Sequence, residues 1–284
     1  MRSSAVRIRG MSDNDHNRDY ISVNRELWNA RVPHHVASSF YDVPGFLEGK
    51  SSLNAIELEL LGDVQGKRVL HVQCHFGQDS ISLARMGAHV TGVDLSDAAL
   101  SEASVLAQRA GVDVRFIESD VYALPNLLHE KFDIVFTSYG TIGWLPDLNR
   151  WAEVVKNFLE PGGQFLLVEF HPVLWMMDNA FEKLTYSYFN AAPIIETETG
   201  TYAETGAAVN KTAITWNHPL TDVITPLLSR GLQLTHFQEF DYSPYNIFAE
   251  ATEVAPGRYA IRGKEGLLPL VYAVRMESRY VTTD

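Results

Sequence analysis

The chain has 284 residues, 46% apolar and 20% charged, with 35 acidic against 23 basic side chains and one cysteine. A formal charge of −12 argues against a nucleic-acid partner, since phosphate binding needs a basic stripe and none is present, and the lone cysteine excludes both an intrachain disulfide framework and a zinc ribbon. No run approaches the ~18 apolar residues of a membrane helix, and no apolar segment of the signal-peptide kind follows Arg2, Arg7 and Arg9. The expectation is one large, globular, cytoplasmic domain, with a disordered tail over residues 1–15 and Met11 as an alternative start.

The first helix is expected over residues 18–30, where Ile21, Leu27 and Trp28 oppose Asn24, Arg25 and Glu26. Pro33 should break it. A second helix is expected over 53–61, closed by Gly62, and residues 16–62 together read as an N-terminal helical lid.

Residues 63–170 then alternate. Strands are expected at 68–72, 89–93, 112–117, 132–137 and 164–170, and helices at 78–86, 97–110 and 148–159. Ser96 is placed to cap the second of these helices, and Pro161-Gly162-Gly163 to turn the chain into the fifth strand. Such spacing gives parallel strands joined by right-handed crossovers, a doubly wound α/β sheet. The strands lack clean alternation, as expected when both faces are covered.

Residues 171–216 break the rhythm with Trp175, Phe181, Tyr186, Tyr188, Phe189, Tyr202 and Trp216, and read as an inserted cap of a helix and a hairpin. The core resumes over 217–284, with a helix at 219–229 and strands at 232–240 and 269–274.

In an open α/β sheet, ligands bind outside the carboxyl ends of the strands. Asp94 ends the second strand, where its two oxygens can accept both hydroxyls of a ribose. Asp120 follows the third, where it can accept the exocyclic amine of an adenine. With the tight turn after the first strand, the two describe a site for an adenosine-bearing cofactor. A nicotinamide cofactor would want Gly-x-Gly-x-x-Gly in that turn, and only one glycine is available. His71, Cys74 and His75 lack a fourth ligand at useful spacing, so no metal is expected, and Cys74 reads as a small buried residue.

These residues resemble the class I S-adenosylmethionine-dependent methyltransferases, closely over residues 66–170. Asp94, Asp120 and Leu159-Glu160-Pro161-Gly162-Gly163 match well, and 269–274 resembles the family's antiparallel strand. The glycine signature departs: His71, Gln73 and His75 stand at its first three defined positions and only Gly77 fits. Gln73 and His75 must therefore face away or contact the methionine part of the cofactor with their side chains. The run Gln73-Cys74-His75-Phe76-Gly77-Gln78-Asp79 and the segment Asn24-Arg25-Glu26-Leu27-Trp28-Asn29-x-Arg31 are similar to a subgroup of bacterial small-molecule methyltransferases, which includes terpenoid-indole enzymes of the teleocidin kind.

The resemblance implies a Rossmann-like, mainly parallel seven-stranded sheet with an antiparallel last strand, S-adenosylmethionine as cofactor and S-adenosylhomocysteine as product. Cofactor contacts are expected from Trp28, Arg31, Gln73, His75, Phe76, Gly77, Gln78, Asp94, Leu95, Asp120, Val121, Ser138 and Tyr139. Arg31 would clamp the methionine carboxylate. Trp28 and Tyr20 would lie over the cofactor, or else dock on another subunit and make a homo-oligomer. An acceptor would meet Tyr20, His35, Phe170, Trp175, Tyr188 and Trp216. If its nucleophile must lose a proton, the candidate bases are His171, Tyr20 and His218. Glu169 is expected to face away from the site.

The cap is poor in Lys and Arg, which suits an apolar small molecule of secondary metabolism better than a polyanion. Because aromatic faces stabilise a passing cation, one expectation is C-methylation of a prenyl or terpenoid alkene through a carbocation. The alternatives are an O- or N-methyltransferase with His171 as base, and a non-catalytic S-adenosylmethionine-binding protein.

Overall fold

The structure, a computed structural model, describes residues 13–190 and 192–279. A seven-stranded sheet runs in the order β3-β2-β1-β4-β5-β11-β8. Its strands are β1 (Arg68–Val72), β2 (His89–Asp94), β3 (Val114–Glu118), β4 (Phe132–Ser138), β5 (Leu159–Phe170), β8 (Leu232–Phe240) and β11 (Val271–Ser278). Neighbours pair in parallel except that β11 runs antiparallel to both β5 and β8. Chain direction along the sheet reverses between β1 and β4, which places the ligand crevice at the carboxyl ends of β1, β2 and β4.

The helices that flank the sheet are α4 (Gln78–Arg85), α5 (Asp97–Ala110), α6 (Leu148–Phe158) and α7 (Leu220–Ser229). As expected, Ser96 caps α5, its hydroxyl accepting from the Ala99 N–H at 3.0 Å, and Gly111 ends the helix in a left-handed conformation. One apolar layer joins Leu70, Val135, Phe165, Leu167 and Tyr272 to α6 and α7 through Trp151, Phe158 and Leu227. The opposite layer carries Val69, Phe136, Leu166 and Val168. Coverage on both faces explains the strands' continuous apolar runs.

Several boundaries differ from expectation. The first helix, α1 (Asp13–Ala37), passes through Pro33. The missing N–H is tolerated because Leu27, Val32 and His35 are buried on both sides of it, so packing holds the helix together. Part of the expected tail, residues 13–15, lies in this helix; the rest is outside the described residues. Pro161-Gly162-Gly163 belongs to β5 instead of turning into it. There the register against β4 shifts, and a Cβ on Gly163 would stand 3.0 Å from the Glu160 carbonyl oxygen.

Two short helices follow α1: α2 (Val43–Leu47) and α3 (Ala55–Leu61). The cap contains the hairpin β6 (Ile194–Thr199) and β7 (Asn210–Thr215), but only a 3₁₀ turn at Leu174–Met176 where a helix was expected. A second hairpin, β9 (Ala251–Ala255) with β10 (Arg258–Ile261), had no sequence expectation. Among the described residues no helix is long and apolar enough to cross a membrane.

Candidate functional site

The loop after β1 resolves the question raised by its missing glycines. Gln73 and His75 stand at φ 59° and 51°, in the left-handed region that glycine occupies at no steric cost. Each costs roughly 1–2 kcal/mol there, and side-chain and backbone bonds offset it. Gln73 Nε2 donates to the Thr141 carbonyl at 2.8 Å, and the His75 N–H donates to Asp94 Oδ2 at 2.7 Å. Gly77 completes the loop at φ 80°, where a Cβ would stand 2.9 Å from Ala103 and Phe116. No other residue fits that position.

Asp94 is fixed from two sides, because its Oδ1 accepts the Ser96 N–H at 2.9 Å. Burial raises its pKa, and the backbone N–H groups of Ser96, His75 and Leu95 pull it back. Asp120 accepts the Tyr122 N–H at 3.1 Å, and the Tyr20 hydroxyl of α1 lies near enough that burial and then Asp120 raise the Tyr20 pKa. Burial raises Asp120 as well, with Val121 contributing one of the opposing backbone N–H groups.

The N-terminal helix and the cap hairpin cover these strand ends together. Asn24 exchanges a pair of hydrogen bonds with the Ile214 backbone, at 2.8 and 3.0 Å. Leu27 packs on Ala207, Val209 and Ala213, and Tyr20 meets Trp216 edge-on at 5.4 Å between centroids. Asn29 reaches the other way, accepting from the Ser96 hydroxyl at 2.6 Å and donating to Asp97 at 2.8 Å.

Beneath this cover lies an aromatic and cationic group. Trp28 contacts His75, His35 and Trp144, and the Arg31 guanidinium stacks 4.9 Å from the Trp28 ring centre and 5.8 Å from that of Trp144. His35 Nδ1 lies 2.8 Å from His75 Nε2. Burial pushes these imidazoles down to about 2 and about 3, with Arg31 adding to the effect. Arg31 is paired with Glu198 of β6. Tyr41 packs on Phe76 and shares a 2.5 Å hydroxyl bond with Tyr202, while Gln78 donates to the Tyr41 carbonyl at 2.8 Å.

The structure thus brings together Tyr20, Trp28, Arg31, His35, Gln73, His75, Phe76, Gly77, Gln78, Asp94, Asp120 and Trp216. Ser138 donates to Asp79 at 3.3 Å and Tyr139 to Glu57 at 2.8 Å, at the neighbouring end of β4. Leu95 continues from Asp94, and Val121 is buried beside Asp120.

Other expected residues stand apart. His171 is 3% exposed; its Nδ1 accepts the Val173 N–H at 3.2 Å and its Nε2 lies 3.0 Å from Glu239 of β8. His218 Nε2 is 2.8 Å from the Leu145 carbonyl and lines an outer cleft of about 350 Å³ with Asp147 and Asp222. Trp175 is on the surface against Phe170 and Phe248, and the Tyr188 hydroxyl accepts the Leu220 N–H. Phe170 sits in the core beside Tyr139.

Glu169 corrects a sequence expectation. Residues two apart share a strand face, so it follows His171 instead of turning away. Its carboxylate binds the loop after β4, accepting from the N–H groups of Gly140, Thr141 and Ile142 and from that of Phe170. Trp144, Glu198 and Tyr41 also escaped the sequence reading, which counted Tyr202 among the cap aromatics without assigning it to the site. No fixed spacing ties them to the glycine loop; only the lid's docking does.

His71, at the first position of the altered signature, is buried against Phe136 and hydrogen-bonded to the Ser80 hydroxyl at 2.8 Å. Burial pushes it down to about 3. The unfolded chain takes this proton below ~6.5 while the folded protein refuses it, so His71 removes stability as pH falls from there toward 3. Its imidazole NMR signals should stay at their neutral positions down to pH 4; a titration midpoint above 6 defeats this assignment.

Residues 69–163 match the model of a methyltransferase domain. The ubiquinone biosynthesis O-methyltransferase of Shewanella pealeana is 30% identical over 132 residues, 45% of this chain and 56% of that protein. The chain therefore spans little more than half of that relative's length. In fold it is similar to an S-adenosylmethionine-dependent methyltransferase from Mesorhizobium loti (22% identical, 81% of this chain and 99% of that one, TM-score 0.54). One from Clostridium acetobutylicum is 14% identical over 94% of this chain and 98% of that one, again at 0.54. The sheet order and the antiparallel β11 are those of a class I methyltransferase fold, and residues 69–163 carry the match to a methyltransferase domain.

Proposed function

We propose that the protein transfers a methyl group from S-adenosylmethionine to a small molecule. The observation that supports this reading is the placement of Asp94, Asp120 and the Gln73–Gly77 loop, with its left-handed residues, at neighbouring strand ends. Asp94 takes the ribose hydroxyls, Asp120 the adenine amine, and Arg31 the methionine carboxylate. Since the sulfonium is already activated, the protein's main task is to hold a nucleophile against the methyl group away from water. Calorimetry with S-adenosylmethionine and S-adenosylhomocysteine tests this directly. Binding of neither at high micromolar concentration rejects both catalysis and a purely cofactor-binding role.

For the acceptor, the reading is an apolar molecule methylated at carbon, such as a prenyl alkene. Trp28, Tyr41, Trp144 and Tyr202 around the strand ends support it, since such rings stabilise a carbocation. The second reading, a heteroatom acceptor, is favoured by the His171–Glu239 pair and by the O-methyltransferase names of the curated relatives. Burial lowers the His171 pKa and Glu239 only partly opposes it, and the Val173 N–H must release Nδ1 before it accepts a proton. Labelled cofactor offered with oxygen, nitrogen and prenyl acceptors separates the two. Label on carbon, with turnover unchanged in His171→Ala, upholds the first. Label on heteroatoms, with turnover down about 100-fold in that variant, replaces it with the second.

A further inference from the structure

Arg31 is only 3% exposed, and its guanidinium packs against two neighbouring indole rings, those of Trp28 and Trp144. Its carboxylate partner, Glu198, comes from the cap hairpin and engages Nη2 alone. The neighbouring Nε–H of Arg31 is buried and has no partner among the described residues. So does Nε2 of His35, a residue wholly out of solvent whose other ring nitrogen bonds His75. A guanidinium binds a carboxylate best through two parallel N–H groups, and Glu198 uses one of them. A half-engaged guanidinium whose own Nε–H is unpartnered, with an unpartnered ring nitrogen of His35 in the same Trp28 cluster, describes a carboxylate site that its present occupant does not fill.

The direction of the crevice says whose carboxylate belongs there. His75 links the two ends: its backbone N–H bonds Asp94, the proposed ribose partner, while its side chain bonds His35 and packs on Trp28 beneath Arg31. A nucleoside seated on Asp94 therefore points its 5′ substituent along His75 toward Arg31. In S-adenosylmethionine that substituent ends in an α-amino acid.

We propose that Glu198 is an internal stand-in for the cofactor's carboxylate. The α-carboxylate of S-adenosylmethionine takes both faces of the Arg31 fork and releases Glu198, so cofactor binding and this anchor of the cap hairpin compete for one guanidinium. This rests on the methyltransferase reading above and adds to it a coupling between cofactor and cap. Glu198 suits the role because burial and the nearby Glu196 both raise its pKa against the pull of Arg31, so it gives up the guanidinium at lower cost than an unstrained partner.

The test compares S-adenosylmethionine with its decarboxylated analogue, which keeps the adenosine, sulfonium and ammonium but lacks the carboxylate. Glu198→Gln should tighten S-adenosylmethionine by about tenfold, the scale of one charge-assisted bond, and leave the analogue unchanged. Equal tightening of both overturns the proposal, since Glu198 would then only hold the cap shut. Unchanged or weaker S-adenosylmethionine binding also overturns it, and an unchanged value hands the site to a carboxylate on the acceptor. Failure of the wild-type protein to bind either compound instead defeats the cofactor reading itself. A second measurement needs no variant: amide exchange across Ile194–Thr199 should quicken when S-adenosylmethionine binds and not when the analogue does. Protection by both compounds alike argues against competition.

Discussion

Asp94→Ala is expected to raise the dissociation constant for S-adenosylmethionine at least about 100-fold, the cost of removing a charged acceptor from two ribose hydroxyls in a buried site. The effect has two parts. The hydroxyls lose their partner, and the N–H groups of His75 and Ser96 lose the oxygens that hold the loop after β1 against the end of β2. Because His75 sits at positive φ, the second part matters as much as the first: without Asp94 the loop has less reason to keep its strained shape. Asp94→Asn keeps one acceptor oxygen and should fall between the two. Calorimetry on variants whose melting temperatures match the wild type gives the answer. An Asp94→Ala protein that binds normally means that the ribose is held elsewhere.

Glu169→Gln is the second large effect, and it bears on stability. One carboxylate accepts four backbone N–H groups and the Thr141 hydroxyl. The amide is the same size but offers one acceptor oxygen, and it turns an NH₂ toward N–H groups that point straight at it. Buried donors left facing a donor cost about 2–4 kcal/mol. The urea midpoint should drop accordingly, with little change in slope. The loop it holds, Gly140 to Ile142, also receives the Gln73 side chain through the Thr141 carbonyl, so cofactor binding should weaken too. A loss of stability below about 1 kcal/mol would show that water or a shifted loop replaces the carboxylate easily.

The α/β core was legible because each of its elements declares itself locally. Ser96 and Gly111 bracket α5, and apolar runs of strand length recur at crossover spacing. The carboxylates at strand ends could be placed for the same reason, since topology puts Asp94 and Asp120 on one crevice whatever surrounds them. The cover was harder. Pro33 announces a helix end, and only tertiary burial of Val32 and His35 overrules it. The partners of Arg31 and Leu27 lie about 170 to 190 residues away in a hairpin whose strands carry little apolar pattern, and no local rule connects them. For His171, position at a strand end was informative about neighbourhood but silent about which way the ring turns, and it turns to Glu239.

The joint cover over the strand ends has a consequence for timing. Asn24 and Ile214, Leu27 and Val209, and Glu26 and Lys211 tie α1 to β7 and the turn before it along several turns, so helix and hairpin form one packed cover even when Glu198 is released. If the proposed methyl transfer takes place beneath this cover, cofactor and acceptor would share a single door, and the rate at which it opens would set a ceiling on turnover, whatever the speed of the chemistry inside.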